Sequence, residues 1–230
     1  MSLSLKTRNR LRSVVAVGLC AGVLAGCGSA RPGVAYDVAG QSTSLGEVDV
    51  MSAAACEALI PQLQTSQVVL PMSQIRTIAV ANMINGTIAE IFSAEEGIEP
   101  GPAYEERRAY FESAAEAIDE DLRDAYVDIN TMNMLYTDVA TQLGQRLLAE
   151  GGNTEATDEE ASAAGTEALK VWAQDADIVI DPRFNIAVVD GVLSPQDESL
   201  AVAVSDFSVA RTSDQEFSYA ATLPEDQVCG

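Results

Sequence analysis

The segment from Pro71 to Phe92 constrains this chain more than any other. Ile75, Ile78, Ala79, Met83, Ile84, Ile88, Ile91 and Phe92 recur at helical spacings and leave little of the circumference polar. A helix apolar around most of its surface has to be enclosed by other elements. The rest of the chain must therefore supply layers that cover it. Pro71 stands where a proline of the first turn is tolerated, and Glu95-Glu96-Gly97 followed by Glu99-Pro100-Gly101-Pro102 supplies the stop.

The covering elements can be read on either side. Val34 to Gly40 alternates weakly and reads as a short strand. Ser44 and Glu47 have the spacing of a capping box, and the helix they open carries Val48, Met51, Ala55 and Leu59 on one face. It is expected to stop before Pro61, with Gln62 to Val69 as a polar connection. Tyr104, Phe111, Ala115, Ile118 and Leu122 make a further amphipathic helix. The pattern continues through Tyr126, Ile129, Leu135, Val139, Leu143 and Leu147, with a break expected near Asp121 or Asn130. Gly151-Gly152-Asn153 ends it. Thr157 and Glu160 form a second capping box, ahead of an expected buried stripe of Ala161, Ala164, Ala168 and Trp172.

After Asp175 the apolar period changes from helical to alternating. Ile178 to Ile180 and Ile186 to Val189 read as strands, Asp190-Gly191 before Val192 and Leu193 as a two-residue hairpin turn, and Ser199 to Ser205 as one more strand. No repeat and no domain-sized linker interrupts the order of strand, helices, strands. The expectation is a mainly α fold with a small β-sheet assembled from distant segments, in a single domain over residues 34–230.

Ahead of that domain stands an export signal. Lys6, Arg8, Arg10 and Arg12 precede the apolar run Val14 to Leu24, which is short for a membrane span. Leu24-Ala25-Gly26-Cys27 then resembles a bacterial lipobox, in which the residue at Cys27 is acylated and becomes the new N-terminus. The alternatives are an ordinary signal peptide or a short anchor. On the lipobox reading residues 1–26 are the signal peptide, and 27–33 are a tether reaching roughly 20 Å at full extension. The body would then sit close to the extracytoplasmic face of the cell membrane.

Charge and residue usage exclude several functions. Lys and Arg number 13 against 35 Asp and Glu, and four of the 13 lie in the signal segment. So acidic a body repels nucleic acid and anionic headgroups. Histidine is absent, which removes imidazole acid–base work, Ser-His and Cys-His nucleophile pairs and His-bearing zinc sites. Asp119, Glu120, Asp121, Asp124 and Asp128 form the densest acidic cluster. They lack calcium-loop spacing and read as a solvated helix face rather than a metal site. No catalytic, metal or cofactor-binding residue is therefore expected. With Cys20 in the signal and Cys27 lipidated, Cys56 and Cys229 remain, and in an exported chain they suggest one disulfide. Two buried thiols or a bond between molecules are the alternatives.

Val38-Ala39-Gly40 followed by Ser44-Leu45-Gly46-Glu47-Val48-Asp49, the run Asp177 to Phe184, and the end from Tyr219 to Pro224 with Cys229-Gly230 carry a family resemblance. The layout resembles the N-terminal domain of SurA and PrsA type envelope chaperones, related in shape to the substrate-binding region of trigger factor. It is most similar to actinobacterial lipoproteins that carry a SurA-N-like domain alone. Relatives often have Asn-Gly at the first turn and Gly after the Asp-Pro-Arg-Phe run, where this chain has Ala39-Gly40 and Asn185. No parvulin-like domain follows, so the resemblance implies no isomerase activity. It implies a membrane-tethered chaperone of holdase type for unfolded exported polypeptides. An adaptor lipoprotein docking one specific envelope partner is the alternative. Met72, Met83, Met132 and Met134 could supply adaptable contacts; the alternative is that they are plain core.

Overall fold

Two glycines set how the helices of this protein meet. The computed structural model describes residues 32–196 and 218–230. It has strands β1 (Val34–Val38) and β2 (Gln41–Ser44), helix α1 (Leu45–Ser66), strand β3 (Leu70–Pro71), and helices α2 (Met72–Glu96), α3 (Pro102–Ala114), α4 (Arg123–Glu150) and α5 (Asp158–Asp175). Strands β4 (Ile178–Ile180), β5 (Ile186–Val189), β6 (Val192–Pro195) and β7 (Val228–Cys229) follow. The described residues from Gly33 onward form one compact unit, mainly α with small antiparallel sheets. The expected strand at Ser199 to Ser205 lies outside the described residues.

Helices α4 and α5 are joined by a tight seam of small residues. A Cβ built on Gly144 would lie 1.7 Å from the Ala161 carbonyl oxygen, and one on Gly165 would lie 1.7 Å from that of Ala140. The two backbones touch there, and no side chain larger than hydrogen fits. Ala161, Gly165, Leu169 and Ala173 are accordingly the buried line of α5. The expected stripe thus lies one position off at Ala164, Ala168 and Trp172, which flank the seam half-buried. Alanine spacing alone could not distinguish the two neighbouring rows. From its flank Trp172 stacks edge-on against Phe92 of α2, with ring centroids 6.3 Å apart.

Helix α2 is the centre of the core. Ala79, Val80, Ile84 and Ala89 are fully enclosed, and Met83, Ile88, Ile91 and Phe92 nearly so. Ile78, counted among its apolar positions, is instead 43% exposed. Pro71 caps the helix rather than lying within its first turn, and it also pairs in β3. At the other end Gly97 takes a left-handed conformation and donates its N–H to the Ser93 carbonyl. The break between α3 and α4 falls at residues 115–122, in two short 3-10 turns separated by extended Ile118. Asn130 lies within α4 and breaks nothing.

Sheet order is β2-β1-β4, all antiparallel. The polar strand β2 has no apolar pattern to announce it, and Asp37 holds it. One Asp37 carboxylate oxygen accepts the Gly40 N–H at 2.9 Å, and the other accepts the Ser42 hydroxyl. Both turn residues have positive φ, Ala39 at 50° and Gly40 at 89°. The second hairpin, β5–β6, turns at Asp190-Gly191 in the same left-handed way. Asn185 is left-handed as well.

Helix α1 corrects the expectation most plainly. It does not stop before Pro61 but passes through it to Ser66, and Gln67 closes it in a left-handed conformation. The compensation is tertiary. Leu63, Ile75 and Cys229 form a separate small cluster, joined by Leu59, Leu70 and Cys56. A disulfide joins Cys56 to Cys229 with Cα atoms 5.6 Å apart. Strand β7 pairs with β3 beside it.

Two outcomes follow from these contacts. Gly165→Ala adds one methyl in a helix interior, where propensity alone would stabilise by about 1 kcal/mol. The backbone approach reverses that sign, and a loss of about 2–4 kcal/mol is expected in urea unfolding followed by the lone Trp172. Replacing both Cys56 and Cys229 with serine opens a loop with a sequence separation of 173 residues. A loss of about 4–5 kcal/mol is expected on chain-entropy grounds, with amide exchange accelerating first at Leu70 and at position 229 opposite it.

Candidate functional site

A cleft of about 710 Å³ opens where β2, the first turns of α1, one face of α2 and the start of α4 converge. Its residues follow helical spacing on each wall. Glu47, Val50 and Met51 come from α1, Met83, Thr87 and Glu90 from α2, and Asp124, Ala125, Asp128 and Met132 from α4, with Asp121 in the turn before it. Three thioethers from three helices thus meet in one concavity. Gly86 makes one of these placements possible, because a Cβ there would lie 2.8 Å from Met132 Cγ. Without a side chain at 86, Met132 lies flat against α2.

Polar groups in the cleft fall into two sets. In the first, bonds are already made. Ser44 and Glu47 complete their capping box, the Ser44 N–H donating to Glu47 Oε2 at 2.7 Å and the Glu47 N–H to Ser44 Oγ at 3.2 Å. These bonds hold the Glu47 carboxyl below the usual range for glutamate. The Tyr36 and Thr87 hydroxyls are 3.1 Å apart, and burial pushes the Tyr36 phenol up. Asp128 accepts from Arg108 of α3 at 3.2 Å.

The second set is Glu90, Asp121 and Asp124. Among the described residues no Lys or Arg lies within ion-pair distance of them. Glu90 is itself exposed. Even so, desolvation by the cleft, with the negative charge of Asp128 opposite adding to it, raises its carboxyl above the usual value. Among the described residues no Lys or Arg lines the cleft. Its chemistry is therefore that of a negatively charged, thioether-lined depression.

A larger groove of about 990 Å³ runs between the start of α3 and α4. Its polar groups are engaged with one another. Asp138 accepts from the Gly101 N–H at 2.8 Å and from Gln142 at 2.9 Å, and Asn133 is bonded to both Asn82 and Asn85. It offers a solvated seam, whereas the smaller cleft has carboxylates left over.

The structure distributes the sequence candidates unevenly. Cys27 lies outside the described residues. Cys56 and Cys229 are bonded to each other, in the small cluster of Leu63 and Ile75. Of the four methionines singled out, Met83 and Met132 reach the cleft, Met134 lines the second groove, and Met72 sits beside the C-terminal tail. Of the acidic cluster, Asp121, Asp124 and Asp128 face the cleft. Met51 is read from the sequence only as an apolar position on the face of α1, and Glu90 carries no reading there. Glu90 had a signal, as a carboxylate set between Ile88 and Ile91 in the apolar stretch of that helix. Among the described residues no group of three or more His, Cys, Asp or Glu side chains is placed to hold a metal ion, and no helix is long and apolar enough to cross a membrane.

No family model, curated protein or solved structure matches this chain.

The raised Glu90 carboxyl gives a pH-dependent outcome. A carboxylate whose folded pKa exceeds its unfolded one favours the fold only while protonated. Its contribution is lost as pH rises from the ordinary value of 4.5 through the folded value. Glu47, Tyr36, Asp121, Asp124 and Asp128 are the other titratable groups around it. Glu90→Gln is expected to raise the thermal midpoint at pH 7, and the gain should vanish at about pH 4.

Proposed function

We propose that this chain is an extracytoplasmic, lipid-anchored protein of SurA-N-like type that holds segments of unfolded exported polypeptides, without isomerase or other catalytic activity. The observation that carries this reading is the cleft, in which Met51, Met83 and Met132 from three helices line one open concavity. Thioether side chains are unbranched and polarisable, and they adapt to clients of differing shape. A concavity rimmed by charge and lined by adaptable apolar groups suits weak, repeated capture of chain segments rather than one fixed ligand.

Three further features support it. The order of basic stretch, apolar run and Leu24-Ala25-Gly26-Cys27 is the order an exported lipoprotein with Cys27 as its lipid attachment point would have. A disulfide between Cys56 and Cys229 suits an oxidising compartment. The acidic surface keeps a client-bearing protein soluble and away from anionic headgroups.

The test uses the full chain in mild detergent with several unrelated chemically unfolded proteins. Suppression of aggregation across clients at near-stoichiometric amounts is expected, and Met51→Ser combined with Met132→Ser should weaken it about fivefold or more. Absence of suppression would overturn the reading and leave a dedicated envelope partner, to be sought by crosslinking in the native membrane.

A further inference from the structure

We propose that the cleft selects polypeptide segments in which a Lys or Arg side chain stands next to an apolar one, seating the cation between Glu90 of α2 and Asp124 of α4 and the apolar side chain on the methionines. The selectivity rests on the polypeptide-holding reading and names the client chemistry for that same site.

The cleft carries charge that the fold does not need. Asp121 and Asp124 stand at the start of α4, where a carboxylate gains from the helix dipole. Glu90 has no such gain, because it lies in the last third of α2, toward the negative end of that helix. It also faces Asp128, which raises its carboxyl further. A like-charge encounter across a cleft costs stability, and a glutamine would avoid it. The nearby arginine relieves only part of it, since Arg108 bonds Asp128 and Glu112 from α3 and does not line the cleft.

The second element is the juxtaposition of that charge with the thioethers. Glu47 and Met51 lie one turn apart on α1, and Asp128 and Met132 lie one turn apart on α4, while Met83 of α2 closes the floor and is almost fully enclosed. Each wall thus offers an apolar contact beside a carboxylate. A client side chain that is purely apolar would leave the carboxylates desolvated beneath it, which disfavours its entry. An acidic client would meet like charge on both walls. A basic side chain with an apolar neighbour satisfies both walls together. A lysine or arginine stem can also lie along the methionines while its head reaches the carboxylates.

The experiment measures binding of three fluorescent peptides of equal leucine content, alternating Leu with Lys, Ser or Glu, to the full chain in non-ionic detergent at physiological salt. The Lys peptide is expected to bind about tenfold more tightly than the Ser peptide, and the Glu peptide more weakly than either. Glu90→Gln combined with Asp124→Asn should bring the Lys-to-Ser ratio close to one, with the fold checked by circular dichroism. Glu155→Gln combined with Glu159→Gln removes the same charge from exposed positions outside the cleft, and should leave the ratio unchanged. Equal binding of Lys and Ser peptides by the unaltered chain would overturn the selectivity while leaving polypeptide holding in place. An equal fall in the ratio in both double variants would overturn it as well, by assigning the preference to net charge. Failure of every peptide to bind would sink the holding reading itself.

Discussion

The contact between the backbones of α4 and α5 is the interaction on which the rest of the architecture depends. At Gly144 and Gly165 the helices approach until carbonyl oxygens of one occupy the space of missing Cβ atoms on the other. That approach turns Leu169 and Ala173 inward and sets Trp172 against Phe92 of α2. It also positions the β5–β6 hairpin, because Gly191 of its turn lies against the Lys170 carbonyl of α5, where a Cβ would stand 2.1 Å away. Two glycines in adjacent helices and a third in a hairpin therefore fix the spacing of helix, helix and hairpin. In a close-packed interior such spacing transmits outward, since displaced helices cannot be absorbed by compressible side chains.

Helices were legible in the sequence where local chemistry and burial agree. Both capping boxes, the Gly97 stop, the Gly151-Gly152 terminus and the Asp190-Gly191 hairpin involve groups a few residues apart, and each is found as read. Reading failed where a distant contact outweighs a local rule. Pro61 would be expected to end α1, but Leu63 beyond it packs on Ile75 and Cys229, and the Cys56–Cys229 bond holds the tail there. Strand β2 is polar throughout and exists because the buried Asp37 gathers Gly40 and Ser42. In α5 the alanine row chosen from spacing lies beside the row that is buried, because Gly165 reads as a helix weakness in sequence and is a contact point in space.

The cleft was less legible than the fold, for a reason of topology. Its walls come from residues near 47, 87 and 125, so no window of sequence contains it. Two of its methionines and three of its carboxylates could be named, but as members of separate lists, a core set and a solvated helix face. Only their convergence gives them chemical meaning. Glu90 had some sequence context, as a carboxylate set between Ile88 and Ile91 ahead of the acidic helix end at Glu95 and Glu96.

Placing a raised carboxyl there sets stability against recognition, since natural proteins sit above a stability threshold rather than at an optimum. The cleft tolerates the cost because its walls are held by independent devices. The Ser44–Glu47 capping box fixes the start of α1, the bare backbone of Gly86 receives Met132, and the Arg108–Asp128 pair ties α3 to α4. None of these contacts uses Glu90 or Asp124. The cleft can therefore keep its width with those two carboxylates unmatched, so that a bound cation would add an interaction rather than break one. A wall in which the same carboxylates braced the helices would have to give up a structural ion pair for each ligand it took. Here support and recognition fall on different residues of the same helix faces, and that separation makes the charge in the cleft available.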